Sequence, residues 1–482
     1  MNLLRPTRRQ FLAGSAAIAA SGMTGISPSF AQSKVDWKKF AGTTLEVNLI
    51  KSPRGEILQK YQKEFEELTG IKVHSEQMPE QQQRQKAVIE LTSGRPSFDV
   101  IHISYHVQKR QFEKGGWLAD LNPFLKDPTL TDASLTEDDF ASAGLTFAKD
   151  ANGRFGALPF SVDYWIIYWN KELFAAKGVE FPKTFEELVA AAEALTDPST
   201  NTYGFVARGM KNANAPVYTS LLLGYGKQSV DADGNLQTDS AEGIEAAKLY
   251  QRLMTKSAPP GVAGFNWAEC QSNFLQGRVG MWLDGIGFAP PLEDPNKSRV
   301  VGKVGYGVMP AGPNAQAAPT TGDGIGVTEA SKNKEAAYLY CQWAISKEMG
   351  ARLLQSGSGV PFRKSVIDDE AVRKGVTMPE GWVEALSKSA PISQLCLPVI
   401  VPVTEFRDII GVGLTNLLNG ADAEAEMKRA TEEFRPVLAR SEGKRHLPPR
   451  QEQKRELLRQ LPPPRLARAA CGQATGRLFF QP

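Results

Sequence analysis

Three short clusters of charged and polar residues lie where alternating strands and helices would present them. Lys51, Ser52 and Arg54 close the strand-like run Thr44 to Ile50. Ser104, Tyr105 and His106 close another, Phe98 to Ile103. Asp323 stands between Gly322 and Gly324, which leave its carboxylate accessible. Strand ends are where α/β sheets place ligands. Guanidinium, ammonium, hydroxyl and carboxylate groups there can make directed hydrogen bonds to a small polar molecule. The patterns of bond-making chemistry are absent: there is no Walker loop, no Gly-x-Ser-x-Gly elbow and no His-Glu-x-x-His helix. Gly322 to Gly326 reads Gly-x-Gly-x-Gly and runs into Val327-Thr328 rather than opening a helix, so it is no dinucleotide loop. Carboxylates could serve a glycosidase, but no pair is singled out. The four His (74, 102, 106, 446) form no ligand spacing, and the four Cys (270, 341, 396, 471) contain no close pair. No cofactor and no metal is expected.

The elements that must hold these groups follow from periodicity. Thr44 to Ile50 alternates as a strand. Ile57, Leu58, Tyr61, Phe65 and Leu68 mark one face of a helix over 56–69, stopped by Gly70. Ile71 to His74 reads as a second strand, 81–93 as a polar helix and 98–103 as a third strand. This order points to a parallel α/β sheet. Val162 to Trp169 reads as an aromatic strand in which Tyr164, Trp165, Tyr168 and Trp169 must face both sides. Thr184-Phe185-Glu186-Glu187 has the form of a capping box. Helices are expected over 244–255, 267–276 and 334–346, and strands over 279–283 and 304–308.

Both chain ends differ from the body. Arg5 to Leu12 is basic, Phe11 to Ile26 is moderately apolar, and Ser29-Phe30-Ala31 carries small residues at alternate positions. This is the layout of an export signal cleaved before Gln32; Thr7 to Leu12 resembles the twin-arginine motif. No Cys follows for a lipid anchor, so the expected location is the periplasm. The 56 basic and 53 acidic residues give a formal charge of +3. Residues 1–31 hold three Arg, and 444–482 hold nine Lys or Arg against two Glu, so 32–443 carries 44 basic and 51 acidic residues, a net −7. An acidic body speaks against nucleic acid as partner. The Pro- and Arg-rich tail 444–482 has a composition that rarely buries a core.

Several ordered segments together resemble the family 1 extracellular solute-binding proteins of sugar-type ABC importers. They are "GIKVHSEQMP" (70–79), "FDVIHISYHVQKRQFEKGGWLADLNPF" (98–124), "GRFGALPFSVDYWIIYWNKELFAAKGVEFPKTFEELVAAAEALTD" (153–197), "FLQGRVGMWLDG" (274–285), "GYGVMPAGP" (305–313) and "SKNKEAAYLYCQWAISKE" (331–348). The resemblance covers about 44–440. It implies a two-lobed α/β binding-protein fold: 34–160 with 312–362 as one lobe, 161–311 with 363–443 as the other. Two or three crossing segments would join them, near 160–163, 309–312 and 361–364. It implies a receptor, without catalytic residues, that closes over a small carbohydrate or polyol and docks as a monomer on ABC permease subunits in the membrane. A glycerophosphodiester or other small solute on the same fold, and an exported glycoside-acting enzyme, are the alternatives.

The resemblance also marks residues. It places an acidic ligand contact at Asp163, with Tyr164 beside it. Asp284 follows the strand 279–283, where many relatives continue with Gly-x-Trp. Here Gly285-Ile286-Gly287-Phe288 stands instead, so stacking from this loop falls to Phe288 or to an inward Trp282. Asp323 sits beside the relatives' ligand, and Arg363 near the third crossing. Asn212, Asn214, Tyr218 and Trp267 are candidates from second-lobe loops. Deleting 444–482 is expected to leave melting temperature and solute binding unchanged, as differential scanning fluorimetry and calorimetry on both chain lengths would show.

Overall fold

In a computed structural model, residues 35–442 are described; the expected export signal and the tail 444–482 lie outside the described residues. Among the described residues ten strands are formed: β1 Thr44–Ile50, β2 Lys72–Met78, β3 Val100–Ser104, β4 Leu158–Asn170, β5 Tyr203–Val206, β6 Val279–Gly285, β7 Val304–Gly307, β8 Ala318–Val327, β9 Val360–Pro361 and β10 Ser393–Leu395. Their main path runs β2-β1-β3-β8-β4-β6-β5. The first strand–helix–strand unit forms because each piece obeys its own local rule. Ser52 caps the helix Pro53–Thr69 by accepting the Gly55 N–H, Pro53 opens it, and Gly70 at φ 69° ends it. Its face carrying Leu58 and Phe65 is buried, and Phe65 meets the rings of Tyr340 and Trp343 at 5.2 and 5.5 Å. Each such side chain contributes roughly 1.5–3 kcal/mol when fully buried.

β4 belongs to two sheet halves. Residues 158–164 pair with β8, and Trp165–Trp169 pair with β6. β1, β2 and β3 run parallel as expected, but β8 lies antiparallel to both β3 and β4. The sheet is therefore mixed rather than purely parallel, because β8 returns from the second half between two strands of the first. In the second half, Tyr168 stacks on Trp282 at 4.7 Å, and both are fully buried. Thr184 does cap the helix Phe185–Ala194, but Glu187 accepts from the Lys183 N–H rather than completing the box on Thr184.

The glycines flanking Asp323 have a packing reason. A Cβ at Gly322 would come within 2.7 Å of the Phe147 ring, and one at Gly324 within 2.3 Å of the Tyr105 ring. Those rings stack at 5.4 Å with 9° between their planes, against one face of β8. Asp323, alternating to the other face, is free to point away from them. Gly324→Ala is expected to destabilise the chain by about 1–3 kcal/mol through overpacking, measurable by urea denaturation.

Candidate functional site

A cleft of about 470 Å³, partly continuous with solvent, opens where the two sheet halves meet. The first half supplies Ile50, Arg54, Glu80, Arg84, Ser104, His106, Thr321 and Asp323 to its wall; β4 supplies Asp163 and Trp165; the second half adds Arg208, Pro216, Phe288 and Arg407. Strand register explains the floor. Asp323 pairs with Ser104 on β3 and Ser161 on β4, and Asp163 pairs with Thr321, so these residues share one face.

Two charge centres result. At the floor, Arg54 places Nη1 2.8 Å from Asp163 Oδ2 and Nε 2.8 Å from Asp323 Oδ2, all three groups buried. The Gly287 N–H donates to Asp163 Oδ1 at 3.0 Å, and His102 Nε2 lies 3.5 Å from Asp323. Burial alone would push the Asp323 carboxyl up, but Arg54, with His102 and His106, overrides it and holds it well below the usual range. For Asp163 burial prevails: its carboxyl is raised despite Arg54 and the Gly287 N–H. At the far wall, Arg208 grips Asp284 with two bonds, Nε at 2.9 and Nη2 at 2.5 Å, and its Nη1 is 3.8 Å from Glu80. The Arg208 guanidinium lies over the rings of Trp165 (4.9 Å) and Phe288 (5.6 Å). Arg84 donates to Ser104 Oγ at 2.9 Å and stands 3.9 Å from Glu80. Arg407 donates to the Asn212 carbonyl at 3.1 Å.

Of the residues expected from the sequence, the cleft gathers Arg54, His106, Asp163, Phe288 and Asp323, with Ser104 beside them. Others lie elsewhere, each for a visible reason. Lys51 is exposed. Ser52 is committed to its helix cap. Tyr105 turns from the cleft onto Phe147 and donates to the Ala157 carbonyl. Tyr164 faces away because strand alternation gives the cleft side to Asp163 and Trp165. Asp284 has no exposure and stands behind Arg208. Arg363 is buried against Asp139 at 2.7 Å and the Ser134 carbonyl. Asn214 bonds the Gly209 and Gly411 carbonyls, and Tyr218 the Thr238 and Gly243 carbonyls, so both are core ties. Asn212 joins Gln81 and Asp408. Trp267 backs Phe288, stacked at 4.8 Å. The ring of Phe288 thus holds Arg208 and Trp267 instead of standing free for a solute.

Glu80, Arg84, Trp165, Arg208, Thr321 and Arg407 were not singled out by sequence. Arg208 follows the end of β5, so the strand-end rule would have found it. Trp165 lies two residues beyond Asp163, on the same strand face. Arg84 and Arg407 carry no local signal; helix packing alone brings them in. The Gly-x-Gly after Asp284 does carry one. A Cβ at Gly285 would meet Asp163 Oδ2 at 2.2 Å, and one at Gly287 would meet the Ser358 carbonyl at 2.9 and Arg54 Nη1 at 3.1 Å.

His106 is pushed down to about 3 by burial and by Arg84 and Arg407, only partly offset by Asp323. A base whose folded pKa lies below its unfolded value stabilises the fold above the unfolded value and loses that contribution as pH falls. Stability should therefore drop from about pH 6.5 downward, toward 3. His106→Gln should flatten that slope between about pH 6.5 and 4.5, before carboxylates titrate, in pH-dependent denaturation curves.

The sequence model of the bacterial extracellular solute-binding proteins matches residues 51–351. An erythritol/L-threitol-binding protein of Mycolicibacterium smegmatis is 27% identical over 85% of this chain and 88% of its own length. A probable amino-acid ABC transporter periplasmic-binding protein of Sinorhizobium fredii is 28% identical over 77% and 85%. Among solved structures, a solute-binding protein of an ABC transporter from Agrobacterium radiobacter, in complex with ribitol, aligns with a TM-score of 0.76 and 28% identity, over 82% of this chain and 99% of that one. A maltose-bound MalE3 of T. maritima aligns at 0.73 and 22%, a likeness of fold.

Proposed function

This chain belongs to the bacterial extracellular solute-binding proteins, and on that premise we propose that it is the receptor of an ABC importer for a small polyol or carbohydrate. The carrying observation is the convergence, in one cleft between two sheet halves, of carboxylates and guanidiniums aimed at a shared space. Carboxylates accept from hydroxyl groups and guanidiniums donate to them, so the set suits a chain of hydroxyls. The relatives that bind a tetritol and a pentitol support the short-polyol end of that class.

The receptor acts by binding without turnover. The lobes are 34–160 with 312–362 and 161–311 with 363–443. Arg208 meets Glu80 and Asn212 meets Gln81 between these lobes, and only a closed state touches the solute from both sides, so the solute favours it. The closed monomer then docks on the permease subunits. Export through the twin-arginine signal, cleaved near Ala31-Gln32, delivers it to the periplasm.

Saturating solute should raise the melting temperature, since a ligand at 100 times its Kd adds about 2.7 kcal/mol. Thermal-shift screening of residues 32–443 against four- to six-carbon alditols and their sugars checks this. Asp323→Ala should abolish the shift, and Asp284→Ala should weaken it through Arg208. No shift with any alditol or sugar would overturn the assignment.

A further inference from the structure

The far wall of the cleft carries more positive charge than its own carboxylates answer. Arg84, Arg208 and Arg407 all line it. Asp284 is taken up by the two-bond grip of Arg208. Glu80 is shared at long range, 3.9 Å from Arg84 and 3.8 Å from Arg208. Three guanidiniums therefore face two carboxylates, one of them already used. Among the described residues, Arg407 is 3% exposed and bonds a backbone carbonyl, with no ion pair to a carboxylate. Arg84 is 8% exposed, and its Nε and Nη1 have no hydrogen-bond partner. An unanswered buried guanidinium is costly.

The floor has the opposite balance. There the one guanidinium of Arg54 meets both Asp163 and Asp323, with His102 Nε2 3.5 Å from Asp323. With Asp284 behind Arg208, four guanidiniums meet four carboxylates, but the pairing is graded: Arg54 meets two carboxylates at the floor, while Arg407 at the wall meets none. The helix Glu80–Thr92 adds to the gradient. It begins at the wall with Pro79 as its cap residue, so no side chain caps its first N–H groups. Burial together with Arg84 and Arg208 also presses the Arg407 guanidinium down to about 9. A neighbouring anion would relieve this.

We propose that the preferred solute is a polyol bearing one oxyanion group, a carboxylate or a phosphate, whose hydroxyls face Asp163 and Asp323 and whose anion sits between Arg84 and Arg407. This rests on the polyol-receptor reading and narrows it. It also gives closure an electrostatic trigger. Arg84 comes from the first half, while Arg208 and Arg407 come from helices and loops packed on the second. An anion among them offsets the mutual repulsion of the three guanidiniums, which Glu80 and Asp284 answer only in part. A neutral polyol provides hydroxyl acceptors but leaves the charge unanswered.

The test is isothermal titration calorimetry on residues 32–443 with ribitol, ribonate, ribitol phosphate and serine at two salt concentrations. The expected result is that ribonate or ribitol phosphate binds at least about tenfold more tightly than ribitol, the size of one charge-assisted bond. Which of the two acids wins identifies the oxyanion. Arg407→Gln should bring the acid-to-neutral ratio close to one, while Arg407→Lys should keep it above one. Should Arg407→Gln fail to fold, Arg84→Gln reads the same ratio. Ribitol binding as tightly as both acids overturns this inference and leaves the polyol receptor standing. Serine binding more tightly than ribonate overturns it in favour of a zwitterionic solute. Failure of ribitol and both acids to bind overturns it together with the short-polyol reading.

Discussion

Arg54 holds the floor of the cleft together. Its guanidinium reaches Asp163 on β4 and Asp323 on β8, two buried carboxylates on adjacent antiparallel strands. Without the guanidinium between them, the two acids would lie unanswered in a region that water barely reaches, and one would have to take up a proton. Arg54 is itself placed by the simplest of local devices. It is the second residue of a helix opened by a serine cap and a proline, directly after β1. Strand end, helix start and sheet register must agree for the three charges to meet, so the site records whether the first half has folded correctly.

The aromatic residues have a different part from the one a sugar receptor suggests. Trp165 and Phe288 lie against Arg208, and Trp267 backs Phe288. The rings hold a cation in position at the wall. The loop after β6 passes through Gly285 and Gly287. Their missing side chains make room for the Asp163 carboxylate and the Arg54 guanidinium.

Most of the fold was legible in the chain. The first strand–helix–strand unit, the aromatic strand and the Thr184 cap follow from periodicity and capping alone. The antiparallel place of β8 was not, because strand order depends on contacts between segments far apart in sequence. The site divides along the same line. Arg54, His106, Asp163, Phe288 and Asp323 occupy strand ends or motif positions and were accessible to reading. Arg84 and Arg407 sit within helices as unremarkable polar residues and become neighbours only through packing. Tyr105, Tyr218, Asn214 and Arg363 show the converse: residue types suited to ligands are as well suited to tying loops together, and only their hydrogen-bond partners separate the two uses.

The glycines on either side of Asp323 leave no latitude at that position. Phe147 and Tyr105 press against β8 so closely that neither neighbour can acquire a side chain without displacing a helix. The acidic floor is therefore written into the sheet. The guanidiniums of Arg84 and Arg407 project instead from helices. Exchange of those two side chains would change the charge of the cleft wall while the sheet-borne floor stays as it is.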